Sequence, residues 1–212
     1  PNPNGYVYSM IYYDSKIYLG GEFTNVGGIG RNYLGAVDAI TGNAVSFNPN
    51  PNSYVYSLAV TGSTLYAGGF FSQIDVTPRN YLASFDLTSG NLTNWNPGQN
   101  TIYDPNNGIA AITVSDTSVY VGGFFTQIGD SSRNNIAEIG IASGKATSWN
   151  PNADNSVATI FVDNSSIYAG GYFSNIGDSS RNNIASLDKT TGKATSWNPN
   201  PNNGIRAITS SG

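Results

Sequence analysis

Four Arg-Asn pairs are the residues of this chain best equipped to hold a charged ligand: Arg31-Asn32, Arg79-Asn80, Arg133-Asn134 and Arg181-Asn182. Four guanidinium groups on equivalent loops could ring an anion. A once-per-repeat Arg is more simply a staple, bonded to backbone carbonyls or stacked on the next repeat's aromatic ring. Regular recurrence favours the staple between blades, because binding sites usually break a repeat. A second candidate is the D-x-x-[TS]-G series at Asp38, Asp86 and Asp188, which could suggest calcium. A calcium site needs several converging oxygens, and one carboxylate per turn supplies too few. The Asp instead bonds its own turn while the Gly accepts positive φ. The third copy has Gly140 in place of Asp and keeps only Gly144. A third candidate is the Gly pairs, Gly20-Gly21, Gly68-Gly69, Gly122-Gly123 and Gly170-Gly171. A phosphate cradle would require a helix to follow, and the sequence offers none. Gly inside a strand points instead to close backbone approach or a bulge.

These residues are positioned by a repeat. Tyr18, Tyr66, Tyr120 and Tyr168 step by 48, 54 and 48 positions. The Arg series takes the same steps, as do Phe47, Trp95, Trp149 and Trp197. A period of this length with several short strands per repeat predicts a propeller or solenoid. In the first repeat, Tyr6 to Tyr13 reads as a strand and Lys16 to Phe23 as a second. A Gly-rich loop leads to a third over Tyr33 to Ala39, and Thr41-Gly42-Asn43 turns into a fourth over Ala44 to Phe47. Asn48-Pro49 then stops the pairing. The predicted fold is all-β, a β-propeller-like array of four-stranded antiparallel blades over residues 1–212. The blades span about 5–52, 53–106, 107–154 and 155–202, and 203–212 begins the first strand of a fifth. Both ends carry first-strand material, and the chain opens at Pro1. That reads as an arc of a longer chain, or as a segment that pairs with other copies of itself.

The strings GGFFTQIGDSSRNNIAEIG (Gly122 to Gly140) and GGYFSNIGDSSRNNIASLD (Gly170 to Asp188) resemble the delta-60 repeat, whose pattern all four repeats follow. The resemblance implies a β-propeller-like domain of large secreted or cell-surface proteins of bacteria and archaea, with no catalytic residues. One departure is Glu22, in the slot filled by Phe70, Phe124 and Tyr172. A weaker likeness, Asp188-x-x-Thr191-Gly192-Lys193…Trp197, is similar to the tryptophan-docking motif of quinoprotein dehydrogenase propellers. Its Trp falls one residue late, and it reads as shared hairpin architecture.

Composition narrows the chemistry. His and Cys are absent, which removes thiol nucleophiles, His bases and nearly every zinc or copper site. Charged residues make up 10% and the net charge is −4, without a basic stripe, so nucleic acid is not an expected partner. No apolar run is long enough for membrane insertion. The 13 acids are scattered singly, giving no paired carboxylates. No catalytic residue, cofactor or metal ligand is expected. The expected function is a non-catalytic structural or adhesive module, extracellular or on the cell surface, acting through protein–protein association. A lectin-like propeller that binds surface glycans is the second reading, and a quinoprotein-like or glycosidase-type enzyme the last. The six-residue insertion carries the candidate binding loop Gln99, Tyr103 and Asp104, on the face that also collects the Arg-Asn loops. The sequons at Asn91 and Asn164 fall on hairpins of the opposite face as possible N-glycosylation sites.

Overall fold

The computed structural model describes residues 1–99 and 108–209. No helix forms among them, and the chain divides into two compact units, Pro1–Pro105 and Asn106–Gly212. The first unit opens with β1 (Val7–Tyr13), β2 (Lys16–Gly21), β3 (Asn25–Val26), β4 (Ile29–Gly30) and β5 (Leu34–Asp38). Its second repeat contributes β6 (Val55–Thr61), β7 (Thr64–Gly69), β8 (Gln73–Ile74), β9 (Thr77–Pro78) and β10 (Leu82–Asp86). The second unit has β11 (Gly108–Val114), β12 (Ser118–Phe124), β13 (Gln127–Ile128), β14 (Ser131–Ser132) and β15 (Ile136–Gly140). It ends with β16 (Val157–Val162), β17 (Ser166–Gly171), β18 (Asn175–Ile176), β19 (Ser179–Ser180) and β20 (Ile184–Asp188).

Each repeat forms one three-stranded antiparallel sheet: β1-β2-β5, β6-β7-β10, β11-β12-β15 and β16-β17-β20. The expected fourth strand shrinks to one bridge per repeat: Val37↔Ala44, Phe85↔Leu92, Ile139↔Ala146 and Leu187↔Ala194. The chain leaves the sheet soon after the turn, toward its Asn-Pro link, so pairing has no length to grow. The expected Gly-rich loops between the second and third strands hold two-residue hairpins, β3–β4, β8–β9, β13–β14 and β18–β19. Residues 203–209 form no strand, although Ile205 lies against the fourth sheet.

The Gly pairs serve two ends. In every sheet the first strand carries a register shift, skipping Tyr8, Tyr56, Ala110 or Ala158. A Cβ on the second Gly would strike the carbonyl oxygen of the bulged strand, at 2.1 Å from Tyr6 O for Gly21 and 2.0 Å from Tyr54 O for Gly69. A Cβ on the first Gly would strike the neighbouring sheet. Gly20 faces Val55 Cγ1, and Gly122 faces Val157 Cγ1, each at 2.7 Å. Bulge and close approach are therefore both present.

Apolar side chains of paired sheets fill each core. Tyr18, Leu34, Val55, Leu58, Phe71 and Phe85 pack together in the first unit. Tyr120, Trp149, Val157, Ile160 and Phe173 do so in the second.

Candidate functional site

The bulges build the most distinctive surface of the first unit. Tyr8 and Tyr56 are the bulged residues of β1 and β6, and their rings stack at 4.9 Å and 20°. Tyr6 stacks on Tyr8 at 6.5 Å, while Tyr54 and Phe70 meet Tyr56 edge-on at 6.3 and 5.2 Å. A bulge turns a side chain away from the regular alternation of the strand, which brings these rings together. Glu22 closes the edge of the cluster, its Oε2 accepting the Tyr8 hydroxyl at 2.7 Å. That bond holds the Tyr8 proton well above the ordinary phenol range, with burial and the Glu22 charge acting the same way. Burial also raises Tyr56. Beside the cluster, Met10 and Tyr12 extend the exposed row along β1. Glu22, a departure in sequence, thus gains a specific partner that Phe70, Phe124 and Tyr172 could not supply in the same way.

The Arg-Asn pairs act within their own repeats. Arg31 donates from Nη2 to Val45 O at 2.6 Å and from Nη1 to Gly30 O at 2.8 Å. Arg79 reaches Thr93 O at 2.9 Å, Arg133 reaches Thr147 O, and Arg181 reaches Thr195 O at 2.6 Å. Each acceptor lies fourteen residues on, next to the bridge that stands for the fourth strand. The guanidinium therefore ties its loop to the outer end of its own sheet; the expected staple between blades is not what these bonds make. The Asn partners reach the Asn-Pro link, Asn32 to Asn50 at 2.8 Å, Asn134 to Asn152 at 2.7 Å and Asn182 to Asn200 at 2.8 Å. Asn80 occupies the same position in its repeat.

The residue after each pair has no shared type, Tyr in the first two repeats and Asn in the last two, yet Tyr33, Tyr81, Asn135 and Asn183 all have φ of 61 to 65°. In each, the next residue's N–H bonds the carbonyl two positions back, as from Leu34 to Asn32 at 2.6 Å. This tight left-handed turn is costly for a side-chain-bearing residue. It is held because both backbone groups of the residue are claimed: Tyr33 N–H by Phe23 O at 2.8 Å, and Tyr33 O by Gly21 N–H at 2.9 Å.

The Asp turns are closed on themselves. Asp38 Oδ1 accepts the backbone N–H and the hydroxyl of Thr41 at 2.7 and 2.8 Å, and Asp188 does the same with Thr191 at 2.7 and 2.7 Å. These bonds hold both carboxyls below the usual range. Glu138, unmarked in sequence, receives Ser118 Oγ at 2.7 Å, the Tyr120 hydroxyl at 3.1 Å and Thr147 Oγ1 at 2.5 Å. Among the described residues no three acidic side chains gather. Of the proposed loop, Gln99 is exposed, with its N–H to Asn96 O at 3.3 Å, and Tyr103 and Asp104 lie outside the described residues. Asn91 and Asn164 are both exposed at hairpin turns.

Comparison with solved structures gives matches of the fold. The extracellular domain of BT4673 from B. thetaiotaomicron aligns with TM-score 0.57 and 16% identity, over 89% of this chain and 22% of that one. This chain thus spans about a fifth of that relative's length. The computationally designed Ika4 protein aligns with TM-score 0.58 and 11% identity, over 88% of this chain and 93% of the designed one. The designed Ika8 protein aligns with TM-score 0.55 and 12% identity, over 89% and 47%. Comparison with curated proteins gives no match. Residues 14–34 and 164–188 match the family described as a domain of unknown function (DUF5122) beta-propeller. The first and fourth repeats therefore carry the signature of this β-propeller family, the same kind of repeat that the delta-60 resemblance indicates.

Proposed function

We propose that this chain is a non-catalytic structural and adhesive repeat module of an extracellular or cell-surface protein, working through protein–protein association. The observation that carries the reading is the row of large side chains left in solvent on β1 and just before it, where Tyr6, Tyr8, Met10 and Tyr12 are all exposed. A contiguous apolar surface of this kind marks an interaction site, and Tyr and Met are residues that interfaces favour. The low charge of the chain and the extracellular placement of the BT4673 domain support a location outside the cell. The test is a photo-crosslinking amino acid placed at Tyr12 in the protein expressed in its native host. Protein adducts are expected. Labelling of glycan alone, or no adduct in intact cells, would overturn the reading.

One observation favours a second reading, a glycan-binding module. The stacked Tyr6, Tyr8 and Tyr56 rings with the Glu22 carboxylate at their edge combine an aromatic platform with a hydrogen-bond acceptor. This reading requires oligosaccharide signals on an array that vanish in Tyr8→Ala and Tyr56→Ala.

A further inference from the structure

Within each compact unit two sheets meet, and the two junctions share one geometry. Val55 lies on Gly20 and Val157 on Gly122, each valine Cγ1 standing 2.7 Å from where the glycine's Cβ would be. Leu58 and Ile160 are buried at the matching place further along β6 and β16. The first strands shift register at the same point, so Tyr8, Tyr56, Ala110 and Ala158 occupy equivalent bulges. The bulge positions of one unit therefore have direct counterparts in the other.

In the first unit these positions belong to a filled row, Glu22–Tyr8–Tyr56–Phe70. Glu22 takes the Tyr8 hydroxyl at 2.7 Å, Tyr8 and Tyr56 stack at 4.9 Å, and Phe70 meets Tyr56 edge-on at 5.2 Å. In the second unit the same row reads Phe124–Ala110–Ala158–Tyr172. Rings now stand at both ends and only methyl groups in the middle. Phe124 is 51% exposed and Tyr172 41%, whereas Phe70, in the place of Tyr172, is half-buried. Tyr172 is held by Arg206, whose Nε donates to its hydroxyl at 2.7 Å, and by Gly204, whose missing Cβ leaves room for the ring. The space that two phenol rings fill in one unit is thus a notch in the other, walled by Phe124 and Tyr172 and floored by Ala110 and Ala158.

We propose that this notch is a binding site for the aromatic side chain of a partner protein, a phenylalanine or tyrosine ring seated where Tyr8 and Tyr56 sit in the first unit. The inference deepens the association reading above and rests on it for the source of the ring. The chain itself supplies the argument for the occupant, since side-chain rings fill the equivalent place. Exposed apolar walls gain by covering a flat ring, and aromatic anchors in pockets carry much of the energy of interfaces. A sugar ring fits less well. It brings hydroxyls around its rim, and the four positions offer only the Tyr172 hydroxyl, already bonded to Arg206. With Phe124 in the place of Glu22 there is also no carboxylate to take a phenol proton, so phenylalanine and tyrosine should be received alike.

Alanine-methyl NMR of the full chain tests this by titration with acetyl-Gly-Phe-Gly-amide and its Tyr and Leu counterparts. The Phe and Tyr peptides are expected to shift Ala110 and Ala158 with similar affinity, and the Leu peptide to leave them in place. Ala158→Tyr should fill the notch and abolish the shift at Ala110. Phe124→Ser, at an exposed position where folding is not at stake, should abolish it by removing a wall. Phe124→Glu should restore the acceptor found in the first unit and favour the Tyr peptide over the Phe peptide by about tenfold. Shifts no larger than those of the buried Ala36 and Ala83, an equal response to the Leu peptide, or equal binding of Phe and Tyr peptides by Phe124→Glu would each overturn the proposal. So would shifts produced by cellohexaose and not by the peptides, which would move the notch to the glycan reading. If Tyr12 crosslinks a protein while the peptides leave the notch untouched, only the notch falls. If the peptides fill it and Tyr12 yields no adduct, the association reading falls and the aromatic site stands.

Discussion

Adding one methyl group to Gly122 or to Gly123 tests the dual use of the Gly pairs, because the two Cβ atoms would meet different obstacles. At Gly122 the new Cβ lies 2.7 Å from Val157 Cγ1, 3.1 Å from Val157 Cβ and 3.1 Å from Ile160 Cδ1. All are side-chain atoms, but Val157 is fully buried and β-branched, so it cannot simply turn away. Overpacking of this kind costs roughly 1–3 kcal/mol. At Gly123 the new Cβ would lie 2.0 Å from Gly108 O and 3.0 Å from Ile109 Cα. These are backbone atoms at the bulge of β11, and relief requires the strand pair to part. Gly123→Ala should therefore cost about 4 kcal/mol or more, the range reserved for severe disruption. Val157→Ala offers the control. Alone it loses roughly 1.5 kcal/mol or more of buried apolar surface. Combined with Gly122→Ala, the added methyl fills space the valine vacates, so the double variant should be more stable than the two single effects predict, by about 1 kcal/mol. Urea unfolding followed by the emission of Trp149, buried in the same unit, reads all four proteins. Equal costs at the two glycines, or strict additivity with Val157→Ala, would refute the division of labour.

Three further outcomes follow from the same geometry. Trp149→Phe deletes the bond to Asp188 O and should lower the stability of the second unit by about 1–2 kcal/mol; Trp197→Phe should cost under about 0.5 kcal/mol, as thermal unfolding would show. At Asp154 burial raises the pKa, but the side-chain bond from Asn175 and the N–H groups of Asn175 and Ser174 outweigh it and leave the carboxyl low. Its stabilisation is thus full above the ordinary carboxylate range and is lost as pH falls through the depressed value. Asp154→Asn, matching Asn4 and Asn52 in the same role, should flatten the acid limb of a stability–pH curve and leave pH 7 nearly unchanged. Tyr120 is pushed up to about 12, first by burial and then by the charge and hydrogen bond of Glu138. In Glu138→Gln its ultraviolet titration should move down yet stay above that of an exposed tyrosine.

The sequence made the repeat, the three main strands and the Asp turns legible because each rests on local chemistry. Alternating β-branched and aromatic residues, Thr-Gly turns and Asn-Pro stops act over a few positions. The bulge was half legible: Gly20-Gly21 announces an obstacle, but only pairing shows that Tyr8 is the residue pushed out. The small hairpins were hidden because two-residue strands have no periodicity to read. At Tyr33 a ring disfavours positive φ, so local preference pointed the wrong way; backbone bonds to Phe23 and Gly21 overrule it. Asn135 and Asn183 at the same position were the available clue, since Asn tolerates that conformation. The Tyr6-Tyr8-Tyr56 stack joins two sheets, a relation that no window along the chain contains.

The single bridge that stands for a fourth strand also bears on solubility. A sheet usually invites misassembly along its outer edge, where a long row of free N–H and C=O groups templates a foreign strand. Here Ala44, Leu92, Ala146 and Ala194 each offer one residue of pairing before the chain turns toward proline. The five-residue third strands beneath them, β5, β10, β15 and β20, are buried along most of their length. Arg31, Arg79, Arg133 and Arg181 tie the overlying segment down, so the groups a foreign strand would copy are covered without a ladder. A protein this poor in charge lacks the repulsion that keeps many others apart. It guards its margins instead by leaving almost nothing there to copy.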